Sequence, residues 1–333
     1  MKLCKKILAA VIAAAMLALC IPALAVTEPD YPEAPEGYDG YVTFAVSAVI
    51  MGWTYLVDPM LVPVNEGETV AQVTERAFEM LDLPYTYNGT VEEGFYLTGI
   101  ACYDTEPDVP EYLMNEILAY PAWAEENFGY SFGEWTGTYD DDDMLSASEY
   151  CTMSGWMYTE DNVSASDGAD AHVIQVGSVY TWLFSVYGWG MDYGISDGWG
   201  SFPLFDNPME GVDRTRLSRV LALISADDEL TELVFDNAVD EFMAAVEALY
   251  SVYSTQDEID ACIEALLAAL DGGEYLPGDA DMDGEITSAD ALIIMRCAMG
   301  VAELSAQQAA LADFDGDGDV DMTDALLLMR SVM

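Results

Sequence analysis

The sequence predicts a multidomain α+β protein: a sheet domain, a small three-helix bundle and an all-α C-terminal module. Three observations predict it. Short runs rich in Val, Thr and aromatic residues recur between residues 39 and 205. From about Arg214 to Asp271 the composition shifts to Ala, Leu and Glu, with no internal proline. Residues 275–333 then carry one pattern twice, 34 residues apart.

Residues 1–25 read as a secretory signal peptide. Lys2, Lys5 and Lys6 precede the apolar run Ile7 to Ile21, and Ala23-Leu24-Ala25 is a small-x-small cleavage site. The run is too short and wrongly flanked for a membrane span. Leu19 stands before Cys20 where a lipidation signal needs a small residue. The formal net charge is −52, and the three lysines of the leader are the only ones in the chain. Export leaves six arginines against 61 acidic residues, or 6 − 61 = −55. That excludes nucleic acid and anionic membrane as partners and fits a secreted, cation-loaded protein. Four cysteines remain: Cys102, Cys151, Cys262 and Cys297. Export permits a Cys102–Cys151 bridge, and buried thiols are the equal alternative.

Residues 26–38 are Pro- and Glu-rich and read as an extended linker. Tyr41 to Ala48 alternates as a strand does, and Leu61 to Val64 is a second strand candidate. After the Asn65-Glu66-Gly67-Glu68 turn, Val70, Val73, Phe78 and Leu81 have helical spacing over 70–81. Hairpin signals follow around Tyr85 to Gly89 and Phe95 to Ile100. Residues 103–150 lack clear periodicity and read as an insertion ending in the solvated acidic run Asp140 to Asp143. Strands resume at Gly155 to Tyr158 and Val176 to Val186, before the Gly-rich stretch Tyr187 to Gly194. Helices are expected at about 214–225, 229–252 and 255–271, with Ser254 or Thr255 capping the last.

No catalytic constellation emerges. His172 is the only histidine and reads as an ordinary surface residue in a loop without a nucleophile motif. Zinc hydrolases need several histidines. A glycosidase needs two carboxylates, and no spacing selects a pair. Trp123, Trp135, Trp156, Trp182, Trp189 and Trp199 crowd one region. Most are needed as core. Trp189 and Trp199, in Gly-rich surroundings, are the candidates for exposure and for stacking on sugar or peptide.

The repeated pattern carries the clearest chemistry. Asp279, Asp281 and Asp283 stand at positions 1, 3 and 5 of a loop, Gly284 permits the turn, Glu285 offers a carbonyl, and Asp290 closes it at position 12. Asp313, Asp315, Asp317, Gly318, Asp319 and Asp324 repeat the arrangement. A hard cation needs this density of oxygens, so two Ca²⁺ ions are expected. Position 12 is Asp where the EF-hand signature has Glu. With the duplication and the missing entering helix, residues 275–333 resemble type I dockerin modules. The resemblance implies a cohesin module of a scaffoldin as partner. It also implies contact through Ser288, Ala289, Met295 and Arg296 in one repeat and Met322, Thr323, Met329 and Arg330 in the other. The Met-Arg pairs match, whereas the pairs at positions 10 and 11 differ.

Residues 39–205 resemble the bacterial domain family related to the transcobalamin C-terminal domain. The likeness runs through Tyr41 to Ser47, Glu66 to Val70, Phe95-Tyr96-Leu97, Ser154 to Tyr158, Gly177 to Phe184 and Tyr187 to Gly194. It implies a β-grasp-like sheet on one helix and no settled activity. Residues 208–271 resemble FIVAR-type helical modules through Val239-Asp240-Glu241, Ala248-Leu249 and Ser254 to Asp260. That likeness implies a spacer. The expected protein is thus a secreted, noncatalytic component of a cellulosome-like assembly, held at the cell surface only through the scaffold. It displays a ligand- or carbohydrate-binding domain, with polysaccharide or a cell-surface protein as further partner. The alternatives are a polysaccharide-degrading component acting on O-glycosyl bonds and a protein-binding adhesin.

Overall fold

The computed structural model describes residues 28–104, 106–140, 143–195, 205, 211–270, 277–281, 286–302, 304, 306–316 and 318–332. The expected signal peptide and Trp199 lie outside them. The chain divides into two units, one of Pro29–Asp228 with Val246–Gln256, the other of Met1–Glu28, Glu229–Ala245 and Asp257–Met333.

The first unit begins with β1 (Gly40–Ser47), β2 (Tyr55–Val64), α1 (Val70–Leu81), β3 (Tyr85–Asn88) and β4 (Tyr96–Ala101). It continues with α2 (Glu111–Phe128), β5 (Met144–Ser146), β6 (Gly155–Glu160), β7 (Val163–Ser164), β8 (Val179–Ser185) and α3 (Thr215–Ala226). One sheet has the order β2-β1-β8-β6-β7, and a smaller one runs β3-β4-β5. Strands β1 and β8, which start far apart in sequence, pair in parallel from Thr43↔Val179 to Ser47↔Leu183. The other pairings are antiparallel.

Strand β1 is buried on both faces from Val42 to Ser47. Such a strand needs cover on each side. Helix α1 supplies one cover. Thr69 and Gln72 form a reciprocal capping box at its start. Val70, Val73, Ala77 and Phe78 turn inward. Phe78 meets Phe44 edge-on at 5.7 Å, and the Trp182 indole N–H donates to Thr74 Oγ1 at 2.9 Å. Helix α3 covers the opposite face. Leu61 lies opposite Thr43 in register, on that face, and packs with Ala222 and Leu223.

Two sequence expectations change here. The insertion 103–150 contains α2, whose buried residues Leu113, Ile117, Tyr120 and Ala124 do follow helical spacing. Pro121 inside it and Leu118 on its exposed side hide that spacing in the sequence. His172 is not an ordinary surface residue. Its Nε2 lies 2.9 Å from Glu160 Oε2, and its ring stands edge-on between Tyr158 and Tyr180. The carbonyls of His172 and Ala169 accept the first free N–H groups of α1, from Val70 at 3.0 Å and Ala71 at 2.8 Å. The residue thus fastens a loop over a helix start. Cys102 and Cys151 are buried free thiols with separate acceptors, the carbonyls of Asp104 and Gly133. Burial pushes each up to about 11.

Further along the chain the run expected as one helix over 229–252 is two: α4 (Asp228–Asn237) and α5 (Val239–Tyr250), broken before Val239. Helix α6 (Gln256–Leu270) buries Ile259, Ile263, Leu266, Leu267 and Leu270. Of the two cap candidates, Ser254 spends its hydroxyl on the Ala248 carbonyl at 2.9 Å.

The Gly-rich stretch after β8 is a rigid turn. Gly188, Trp189 and Gly190 take φ of +66°, +47° and +103°. For a tryptophan this conformation costs roughly 1–3 kcal/mol. Asp192, buried below the turn, enforces it. Its carboxylate accepts the Val186 N–H at 2.6 Å, the Tyr187 N–H at 3.2 Å and the Ser185 hydroxyl at 2.9 Å. Burial outweighs these bonds and raises its pKa from 3.8 to about 7. The native state therefore holds a proton that the unfolded chain releases. The contribution of Asp192 to stability is full below about pH 4 and declines as pH rises to about 7. The gap from 3.8 to about 7 corresponds to roughly 4 kcal/mol. Chemical denaturation of wild type and Asp192→Asn at pH 4 and pH 8 measures this. The wild type should lose its advantage over the variant across that interval, and a pH-independent difference would show that Asp192 is ionised throughout.

Candidate functional site

The C-terminal repeats build two helix starts from one local device. Helix α7 (Ser288–Ala298) begins at Thr287 and helix α9 (Met322–Ser331) at Asp321, each through a reciprocal capping box whose third residue is aspartate. A short helix α8 (Ala306–Ala312) lies between them. Helices α7 and α9 pack on a small core of Ala280, Ala291, Ile294, Ala312, Ala325 and Leu328. Gly278 takes φ +106°, and a Cβ there would stand 2.7 Å from Leu328 Cδ1 and 2.9 Å from the Phe314 ring. Glycine is required on both counts.

The carboxylates that cap the helices also close the loops. Asp290 Oδ2 accepts the Thr287 N–H at 2.7 Å, while Oδ1 accepts the Asp281 N–H at 3.1 Å. In the second repeat Asp324 Oδ2 accepts the Asp321 N–H at 2.8 Å, and Oδ1 accepts the N–H of Phe314 at 2.9 Å and of Asp315 at 3.2 Å. Asp313 accepts from Gly316 and Gly318 at 2.9 Å each. The effect is to gather acids. Carboxylate oxygens of Asp279, Asp281 and Asp290 lie within 4.8 Å of one another, as do those of Asp313, Asp315 and Asp324. Asp279, Asp290 and Asp324 are buried. Three carboxylates so close, one or two of them out of water, repel strongly unless a cation sits among them. An all-oxygen donor set at short range fits a hard divalent ion such as Ca²⁺. Bound there, the ion would neutralise the cluster and lock each loop to its helix. Asp319, expected to give its carbonyl, lies in the second loop and is exposed. Asp283, Glu285 and Asp317 of the expected ligand set, with Gly284, lie outside the described residues.

The residues expected to meet a partner fall on one side of each helix. Ser288, Ala289 and Arg296 are exposed on α7, and Met322, Thr323 and Arg330 on α9. Met295 and Met329 are half-buried and pack against the core. Sequence reading missed Leu292 and Leu326, which are exposed at matching positions. They stand three residues after Ala289 and Thr323 and four before each arginine, so helical spacing alone places them in the same stripe.

Residues 277–333 match the family model described as the dockerin type I domain. The chain therefore carries a C-terminal dockerin domain, and type I dockerin domains bind calcium. A dockerin implies docking to a cohesin of a scaffoldin in a cellulosome-like assembly. No curated protein matches the chain. Among the described residues no helix is long and apolar enough to cross a membrane.

Two outcomes follow from the loop geometry. Calorimetric titration with Ca²⁺ should give two ions for the wild type and one for Asp290→Ala or Asp324→Ala, whereas two ions retained by either variant would remove that aspartate from the ligand set. Gly278→Ala should destabilise the calcium-loaded dockerin by about 1–3 kcal/mol through overpacking and strain, read as a lower denaturation midpoint of that domain.

Proposed function

We propose that this protein is a secreted, noncatalytic component that docks on a scaffold through calcium-loaded dockerin loops and displays a ligand-binding sheet domain. Asp279, Asp281, Asp283, Glu285 and Asp290 hold one ion, and Asp313, Asp315, Asp317, Asp319 and Asp324 the other. The observation that carries the reading is the pair of carboxylate clusters at the starts of two matching helices. Calcium sets the orientation of the stripes Ser288-Ala289-Leu292-Arg296 and Met322-Thr323-Leu326-Arg330, which meet the cohesin. The apolar centre of each stripe supplies desolvation and the arginine supplies charged hydrogen bonds. The Ser-Ala pair on α7 and the Met-Thr pair on α9 differ, so the two faces are not equivalent towards one cohesin.

The leader 1–25 exports the chain, and the linker 26–38 precedes the display domain. The sheet order β2-β1-β8-β6-β7, with its parallel central pair and one helix on a face, supports a β-grasp-like reading of 39–205. The 208–271 helices serve as the spacer. The exposed aromatic residues of the sheet unit support carbohydrate as the displayed domain's ligand.

Surface plasmon resonance against immobilised type I cohesins tests the docking step. The full chain should bind in Ca²⁺ and dissociate in EDTA, and a chain truncated at Gly273 should not bind. Binding by the truncated chain, or binding indifferent to EDTA, would sink the assignment.

A further inference from the structure

We propose that Phe128, Tyr130 and Trp189 form a rigid aromatic platform that receives a neutral polysaccharide chain. This rests on the carbohydrate reading of the sheet unit and gives it a surface and a ligand class. Phe128 and Tyr130 are 52% and 62% exposed. Single exposed rings are ordinary, but a grouped set marks an interaction site. The rings of Phe128, Tyr130 and Phe132 lie 5.5–6.4 Å apart with planes inclined by 29–36°. The three distances are nearly equal, so the rings stand at the corners of a triangle and form one compact patch. Trp123 holds Phe128 edge-on at 5.3 Å, and Tyr120 holds Phe132 edge-on at 5.1 Å. Helix α2 ends at Gly129 with φ +80°, which turns the chain between the two exposed rings.

Met153 connects the loop that follows α2 with the turn that carries Trp189. The Gly188 N–H points at Met153 Sδ at 3.4 Å, and the Met153 methyl lies 2.3 Å from where a Cβ on Gly133 would be. Trp189 is 43% exposed in its left-handed conformation. A bulky side chain held out of its preferred backbone, and kept there by a buried aspartate, is the pattern of a residue positioned for contact. The set is preorganised, so binding would cost little ordering.

Ring faces of this kind pack against the C–H faces of pyranose rings. The platform is flanked by exposed Glu125, Glu126, Asn127, Ser131 and Glu134. Carboxylates accept and do not donate, and sugar hydroxyls supply donors in abundance. The net charge of −52 turns away polyanions, including uronate-rich polymers. A neutral, hydroxyl-rich chain is the occupant that satisfies both the rings and the acids.

Affinity gel electrophoresis of the full calcium-loaded protein tests this, using hydroxyethylcellulose, xyloglucan and glucomannan beside polygalacturonate. At least one neutral polymer should retard the wild type. Retardation should weaken about tenfold in the Phe128→Ala/Tyr130→Ala double variant, weaken in Trp189→Ala, and persist in Tyr130→Phe. Tyr103→Ala, at a site 77% exposed in the same insertion, should behave as wild type. Unchanged melting temperatures keep folding out of the comparison. A retarded wild type with an equally retarded double variant would overturn the platform and leave the carbohydrate reading standing. A wild type retarded by none of the neutral polymers would overturn both. Retardation by polygalacturonate alone would overturn the neutral class.

Discussion

Asp290 and Asp324 each perform two tasks with one side chain, and the C-terminal domain depends on their compatibility. As the third residue of a helix each carboxylate returns to the N–H of the capping residue. As the last residue of an acidic loop each also accepts from the loop backbone. The same oxygens then face other aspartates within 4.8 Å. A helix dipole and two hydrogen bonds stabilise one carboxylate. They do not offset two further negative charges beside a buried one. On the proposed reading cation binding and folding are one equilibrium, and the same ions would order the exposed stripes.

That coupling explains how such an acidic chain can be a specific binder. A net charge of −52 on 333 residues repels most macromolecules in the medium and keeps the protein dispersed. Against this background the six arginines stand out by placement. Arg76 clamps the entry to α1, donating to Glu68 and to the Pro63 carbonyl at 2.8 Å. Arg296 and Arg330, by contrast, are exposed at matching points of the repeat. Bonds of the first kind hold the sheet unit together without metal. Cations of the second kind are available to a partner once calcium has set the helices.

How much of this was legible in the sequence follows from how local each feature is. The dockerin domain was readable because the spacing of its acidic repeats is set within twelve residues. The same holds for α1, whose Thr69 cap and apolar spacing agree over 70–81, and for β1, β3, β4, β6 and β8, whereas only the end of β2 was legible and the short β5 and β7 were not. Helix α2 was hidden because Pro121 and the exposed Leu118 break the pattern that its buried residues keep. The parallel pairing of β1 with β8 joins residues more than 130 positions apart, and no local signal encodes it. His172 looked like a surface residue because both its carboxylate and its ring partners are set by tertiary contact. Leu292 and Leu326 were not legible for another reason: they are apolar residues within apolar helices. Only burial separates them from Ile294 and Leu328.

The Gly-rich turn shows how a core feature can serve a surface. Asp192 is buried, spends its acceptors on Ser185, Val186 and Tyr187, and carries a raised pKa because burial desolvates its carboxylate. A core optimised for stability alone would place an apolar residue or an asparagine there. What the aspartate secures is Ser185, whose hydroxyl in turn accepts the Gly190 N–H at 2.9 Å and so closes the turn that carries the left-handed Trp189. Strain at the tryptophan and desolvation at the aspartate are separate costs borne by one turn. Both are understandable if the indole must stand exposed where it does. In the dockerin, buried acids gather where an ion would both stabilise them and fix the helices that carry the exposed stripes. In the sheet unit, a buried acid supports the turn that presents an exposed tryptophan.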